Sequence, residues 1–144
     1  MVSCNELDFL GSLSKDNKFI PLASETVRAG NPIETNAFIE QFISLSEHLS
    51  LDPVTTYFFR SAVTIKKMGI FDNDILIVDR KLNIKRDAIV IAYHTIDEVS
   101  LRKVVYYQDQ VFLTSPNLPV IEYSDHQQIW GVVRFNVHSF KRNK

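Results

Sequence analysis

The sequence predicts a compact, mainly β domain, and three observations carry that prediction. From about residue 53 onward the chain breaks into roughly seven short apolar segments rich in Val, Ile, Phe and Tyr, with polar turn residues between them. One of these segments, DILIVD at 74–79, is a nearly continuous apolar run, as in a strand buried on both faces. A length of 144 residues suits one domain with a real core, and 45% hydrophobic with 23% charged content is ordinary for a soluble globular protein.

Taken in order, residues 1–30 differ from the rest. MVSCNELDFLGSLSKDNKF is polar, with isolated apolar residues and no clear period, and IPLASETVRAGNPIE follows, punctuated by Pro21, Gly30 and Pro32. These residues read as an extended N-terminal arm leading into a domain over 31–144; a docked edge strand followed by a loop is the competing reading. NAFIEQFISLSEHLSL places Phe38, Phe42, Leu45 and Leu49 near helical spacing, while FIEQFISL also alternates as a strand, and both readings stand. After Pro53 the signal is β. TTYFFRSAV and DILIVD come first; DAIVIAYH and EVSLRKVVYY flank TID as a hairpin; QVFLT, PVIEY and IWGVVRFNV complete the set. There is no internal repeat or low-complexity block, and none of the four glycines falls in a phosphate-binding loop pattern.

Several function classes lose support at this stage. A formal net charge of -1 gives no global basic field to draw the chain to nucleic acid or membrane, although the tail SFKRNK is locally basic. The single cysteine, Cys4, cannot form an internal disulfide, and the four histidines are scattered without ligand spacing, so no metal or cofactor is expected. No apolar run is long enough to span a bilayer and no signal segment opens the chain, which makes a reducing cytoplasm the expected location.

The stretch FFRSAVTIKKMGIFDNDILIVD, residues 58–79, sets Ser61 and Thr64 near Lys66 and Lys67. A hydroxyl beside a lysine is a nucleophile beside its base only when the lysine is desolvated; a water-exposed lysine stays protonated and makes a poor base. Asp72 and Asp74 read as a solvated turn, and Asp97 and Glu98 as hairpin-tip charges. Tyr106, Tyr107 and Phe112 offer a stacking surface for single-stranded nucleic acid, but with no interleaved basic residues they read as sheet packing.

Four stretches in the same order resemble the LexA/UmuD-type self-cleaving proteins of the bacterial DNA-damage response. MGIFDNDILIVD is similar to the family's G-I-x-x-G-D-x-x-x-V-D segment; DAIVIA with DEVSLRKV is similar to its following hairpin; IWGVVRFNV is similar to its closing F-G-V-V strand. IPLASETVRAGNP resembles a UmuD cleavage arm with a small-residue bond at Ala29–Gly30, where an extended backbone can enter a narrow cleft. The resemblance covers residues 19–140, with no room before it for a helix-turn-helix, so UmuD is a better match than the repressors. It implies a β-clip-type sheet domain with a short helix, dimerisation with itself or a UmuD-like partner, and a Ser/Lys catalytic pair whose lysine is neutral. It further implies stimulation by a RecA filament and association with a UmuC-type translesion polymerase subunit. Neither direct sequence-specific DNA binding nor a membrane is implied.

Both catalytic positions depart from that pattern. The nucleophile position, five residues before Gly69, holds Thr64 in the turn SAVTI. Threonine acts as a nucleophile in some hydrolases, but its methyl restricts its rotamers. The lysine position within VSLRKV holds Arg102, which stays protonated and has no lone pair to take a proton. Lys103 is the rescue candidate, yet neighbours along a strand point to opposite faces, so it would need a register shift or bulge to reach the site. The expectation is a UmuD-like accessory protein that has lost self-cleavage and acts by pairing and binding. An active protease using Thr64 and Lys103, or a decoy that pairs with an active relative, are the alternatives. Trp130, Gly131, Val132 and Val133 on the closing strand are interface candidates, with a core role for Trp130 equally open.

Overall fold

The computed structural model describes residues 6–13, 19–21, 49, 51–81, 83–95, 98–116 and 118–140. Among the described residues, nine strands form one sheet: β1 (Leu7–Leu13), β2 (Phe19–Pro21), β3 (Thr56–Ser61), β4 (Ile75–Asp79), β5 (Ile89–Thr95), β6 (Glu98–Tyr107), β7 (Gln110–Ser115), β8 (Leu118–Glu122) and β9 (Ile129–Val137). Their order across the sheet is β2-β1-β3-β4-β9-β5-β6-β7-β8. The fold is mainly β, as expected, and the seven segments after Pro53 are the seven strands β3 to β9. Helical structure among the described residues comprises 3-10 turns at Lys66–Met68 and His126–Gln128 and the α-helical residue Leu49. Of the segment with ambiguous spacing at 36–51, only Leu49, which is α-helical, and Leu51 are among the described residues, and the arm bond Ala29–Gly30 lies outside them.

Two strands come from the segment read as an arm. β1 pairs with β3 from Leu7↔Ser61 to Ser12↔Tyr57, with a register shift between Phe9 and Gly11, and β2 pairs with β1 on its far side. The side chains of β1 explain the docking. Leu13 enters the core beside Phe58, Ile75 and Ile77, while Phe9 meets the Phe59 ring at 5.2 Å between centroids.

Successive side chains of a strand point to opposite faces of the sheet. On β4 the side chains of Ile75 and Ile77 join Leu13, Leu51 and Phe58 on one face; Leu76 and Val78 join Phe59, Ile65, Ile70, Ile91 and Leu101 on the other. All five β4 residues are buried, which is why this strand reads as an unbroken apolar run. A third cluster, Val90, Ala92, Val104, Leu113 and Val132, lies between β5, β6, β7 and β9.

The closing strand β9 sits in the middle of the sheet, bonded to β4 on one edge and β5 on the other. A partner chain therefore meets its faces, not a free backbone edge. Gly131 is required here by close approach: a Cβ would lie 2.7 Å from Val78 Cγ1 and 3.4 Å from the Asp79 carbonyl oxygen. Val78 is fully buried and its short branch has nowhere to swing. Gly131→Ala is expected to destabilise the fold by about 1–3 kcal/mol through overpacking, read as a lower urea midpoint at unchanged slope.

Candidate functional site

The turn between β3 and β4 is closed by backbone bonds. The Ser61 N–H donates to the Asp74 carbonyl at 2.9 Å and the Asn73 N–H donates to the Ser61 carbonyl at 2.8 Å. Within it, Ile65 and Ile70 form a small antiparallel bridge and are both buried, anchoring the loop. Gly69 adopts the left-handed region at φ 73, where glycine carries no Cβ penalty, and its N–H caps the Lys66 carbonyl.

This anchoring leaves Thr64 exposed on the turn. Its Oγ1 accepts the Asp72 N–H at 3.0 Å, so the hydroxyl serves as a turn brace. Ser61 is buried, and its hydroxyl donates to the Val63 carbonyl at 2.6 Å while accepting the Val63 N–H at 3.2 Å. Lys66 and Lys67 are exposed on the 3-10 turn, so the structure does not place them with the buried Ser61 hydroxyl as a dyad.

The solvated-turn reading of Asp74 is overturned. Asp72 is exposed, but Asp74 is 1% exposed and holds three donors. Its Oδ2 accepts the Phe71 N–H at 2.9 Å and Asn136 Nδ2 at 2.8 Å, and its Oδ1 lies 2.6 Å from His138 Nδ1. A buried carboxylate is tolerated because these donors replace its water shell. It ties the turn to the end of β9.

Arg102 is fully buried. Its Nε donates to Ser100 Oγ at 3.0 Å, and its Nη1 donates to the carbonyls of Leu113 at 3.1 Å and Pro119 at 2.7 Å. The guanidinium thus stitches β6 to β7 and to β8, two strands further along the sheet. The bonds of Thr64 lead into its own turn, whereas those of Arg102 lead towards β8.

Lys103 is half-buried and follows Arg102 in an unbroken ladder, opposite Ile89 on β5 and Thr114 on β7. The irregularity in the β5–β6 pairing falls between Tyr93 and Thr95, at the hairpin tip, and not near Lys103. By the alternation of the strand, Lys103 stands on the face of Leu101, opposite to Arg102.

A residue with no sequence signal joins the two regions. The backbone carbonyl of Glu6 accepts the Ala62 N–H at 2.7 Å, two residues before Thr64. The Glu6 carboxylate accepts the Leu101 N–H at 2.8 Å, one residue before Arg102. Glu6 is 7% exposed and lies just before β1, in the polar leader whose lack of period hid it. It brings the Thr64 turn beside the Arg102 strand, although β3 and β6 lie four positions apart in the sheet.

Trp130 is half-buried among rings of its own chain: Phe59 at 5.0 Å, Tyr57 at 5.3 Å and Phe9 at 6.5 Å, with the Arg80 guanidinium 4.2 Å over its centroid. Gly131 and Val132 are buried and Val133 is half-buried. Among the described residues no group of three or more His, Cys, Asp or Glu is placed to hold a metal ion, and no helix is long and apolar enough to cross a membrane.

With this geometry in place, the comparisons are specific. A family model described as Peptidase S24-like matches residues 21–134. The chain is 28% identical over 118 residues to Protein MucA of Escherichia coli, covering 79% of this chain and 81% of MucA. It is 28% identical over 120 residues to Protein SamA of Salmonella typhimurium, covering 82% and 84% respectively. It is also 32% identical over 102 residues to the LexA repressor of Hahella chejuensis, covering 70% of this chain but only 50% of the repressor.

Proposed function

This chain belongs to the Peptidase S24-like family, and from that premise we propose that it is a UmuD-like accessory protein of the DNA-damage (SOS) response that no longer cuts itself. It works by pairing, with itself or with a UmuD-like partner, and by binding an error-prone translesion polymerase of the UmuC type or the RecA filament that activates one.

The observation that carries this reading is the state of Arg102. An arginine at the base position stays protonated and cannot take the hydroxyl proton. Here it is also committed to structure, with its donors on Ser100, Leu113 and Pro119. Thr64 supports the same reading, because the hydroxyl is braced within its turn. Similarity to MucA and SamA over about four-fifths of each chain supports a UmuD-like reading.

The test is a cleavage assay on the purified chain, incubated with activated RecA filament and separately at alkaline pH. The expected result is an intact chain in both. Cutting at Ala29–Gly30 that Thr64→Ala abolishes would overturn the proposal, and additional loss with Lys103→Ala but not Arg102→Ala would assign the base to Lys103. Co-expression with an active UmuD-like relative is expected to yield a mixed dimer. If only homodimers form, the decoy version of this role is excluded.

A further inference from the structure

A pocket of about 440 Å³ opens on a part of the sheet remote from the Thr64 turn in sequence, lined by Arg80, Lys81, Tyr106, Tyr123, Ile129 and Trp130 among others. Its volume lies in the range of small-ligand sites, roughly 300–1,000 Å³. Two features distinguish it from a packing gap. Its lining holds two cations and no carboxylate. It also carries guanidinium-on-ring stacks: Arg80 lies 4.2 Å over the Trp130 centroid, and Arg86 lies 4.6 Å over Tyr106.

The sequence hid this arrangement. Tyr106 and Tyr107 have no basic neighbours suited to nucleic acid along their own strand. The fold supplies them from the β4–β5 connection, which carries Arg80, Lys81 and Arg86 to the same surface. Arg80, Lys81 and Arg86 are exposed, and among the described residues no carboxylate pairs with any of them. Asp79, the nearest acid in sequence, is 6% exposed and accepts the Lys81 backbone N–H; it forms no ion pair with the Arg80, Lys81 or Arg86 side chains among the described residues.

We propose that this pocket binds one nucleotide unit of a single-stranded nucleic acid, with the base against Tyr106, Tyr123 and the Arg80–Trp130 stack and the flanking phosphates on Arg80, Lys81 and Arg86. Aromatic rings and guanidinium planes both accept stacked bases without regard to sequence. Arg80 is held by its stack and by donating from Nε to the Trp130 carbonyl at 2.8 Å, while Lys81 and Arg86 are exposed beside it; an open, cation-rimmed surface suits a passing strand more than a closed cradle for a free nucleotide. This site is independent of the Thr64 turn and of whether the chain cuts itself.

The chain has a single tryptophan, and Trp130 lines this pocket, so selectively excited tryptophan fluorescence is a probe of binding there. Titrating the full-length protein with oligothymidylate of about ten nucleotides, within the site sizes of single-strand binders, is expected to quench Trp130 at ~50 mM salt. Two to three phosphate contacts predict a log–log salt slope of about -1.4 to -2. Lys81→Glu is expected to weaken binding about tenfold or more, and Tyr106→Ala by about 5- to 150-fold for loss of one stacking ring. Both variants should keep the wild-type melting profile. Thymidine monophosphate should compete only at a large excess; equal affinity for it would overturn the assignment to a strand. The site is overturned if the oligonucleotide fails to quench, if Lys81→Glu leaves the titration unchanged, or if an acidic peptide of equal charge binds better. It is equally overturned if quenching follows protein concentration alone, since that outcome gives the pocket to a second copy of the chain.

Discussion

Arg102→Ala is expected to cost about 3–5 kcal/mol of folding stability. Truncation opens a cavity the size of a long side chain at a fully buried position. It also strips donors from the Leu113 and Pro119 carbonyls and from Ser100 Oγ, at about 1–3 kcal/mol for a buried group left unsatisfied. These costs overlap, so they do not add in full. Urea unfolding measures the loss, and a melting temperature lower by roughly 10 °C should accompany it at about 3 °C per kcal/mol for a chain of this size. Arg102→Lys should fall between, since an ammonium fills part of the space and reaches fewer acceptors. A cost below about 1 kcal/mol for Arg102→Ala would mean that the guanidinium does not tie β6 to β8.

Asp74→Ala should be the next most damaging change, at about 2–4 kcal/mol. The carboxylate collects the Phe71 N–H, Asn136 Nδ2 and His138 Nδ1, and these groups would lose their shared partner together. Because it links the β3–β4 turn to the end of β9, the loss should be local as well as global. Backbone amide exchange at 70–74 is expected to accelerate more than in β4. Uniform acceleration across the sheet would show that Asp74 contributes only to overall stability. Asn136→Ala removes one of the three donors and should cost markedly less, which provides an internal control.

The fold was legible where burial is set by a strand's own residues. The run Ile75–Asp79 needs no distant information, since both faces of β4 are covered. The leader was opaque for a physical reason. The register shift between Phe9 and Gly11 breaks the two-residue period of β1, so its apolar residues Leu7, Phe9, Leu10 and Leu13 do not alternate. Arg102 was legible as a departure from a pattern, but its role was not, because its acceptors lie 11 and 17 residues further on. Asp74 was misread for the same reason: its local context is a polar turn, while Asn136 and His138 arrive from 62 and 64 residues away. Glu6 left no trace, because half of its contribution is made by its main-chain carbonyl, which any residue possesses. The basic side of the Trp130 pocket was invisible until the β4–β5 connection was seen to pass over it.

The position of β1 gives the arm a consequence of its own. Ala29–Gly30 lies beyond β1 and β2 in the chain, so a break there would cut the covalent tether of both strands while leaving β3 in the body. Departure of that fragment would turn β3 from an interior strand into a raw margin, with a row of unanswered amides and carbonyls beside the Phe59 and Trp130 rings. The same departure would unhook Ala62 and Leu101 from Glu6. A margin of that kind is a template for a foreign strand, which could come from a second copy. Losing the fragment and recruiting a neighbour would then be one event, governed by competition for a single groove.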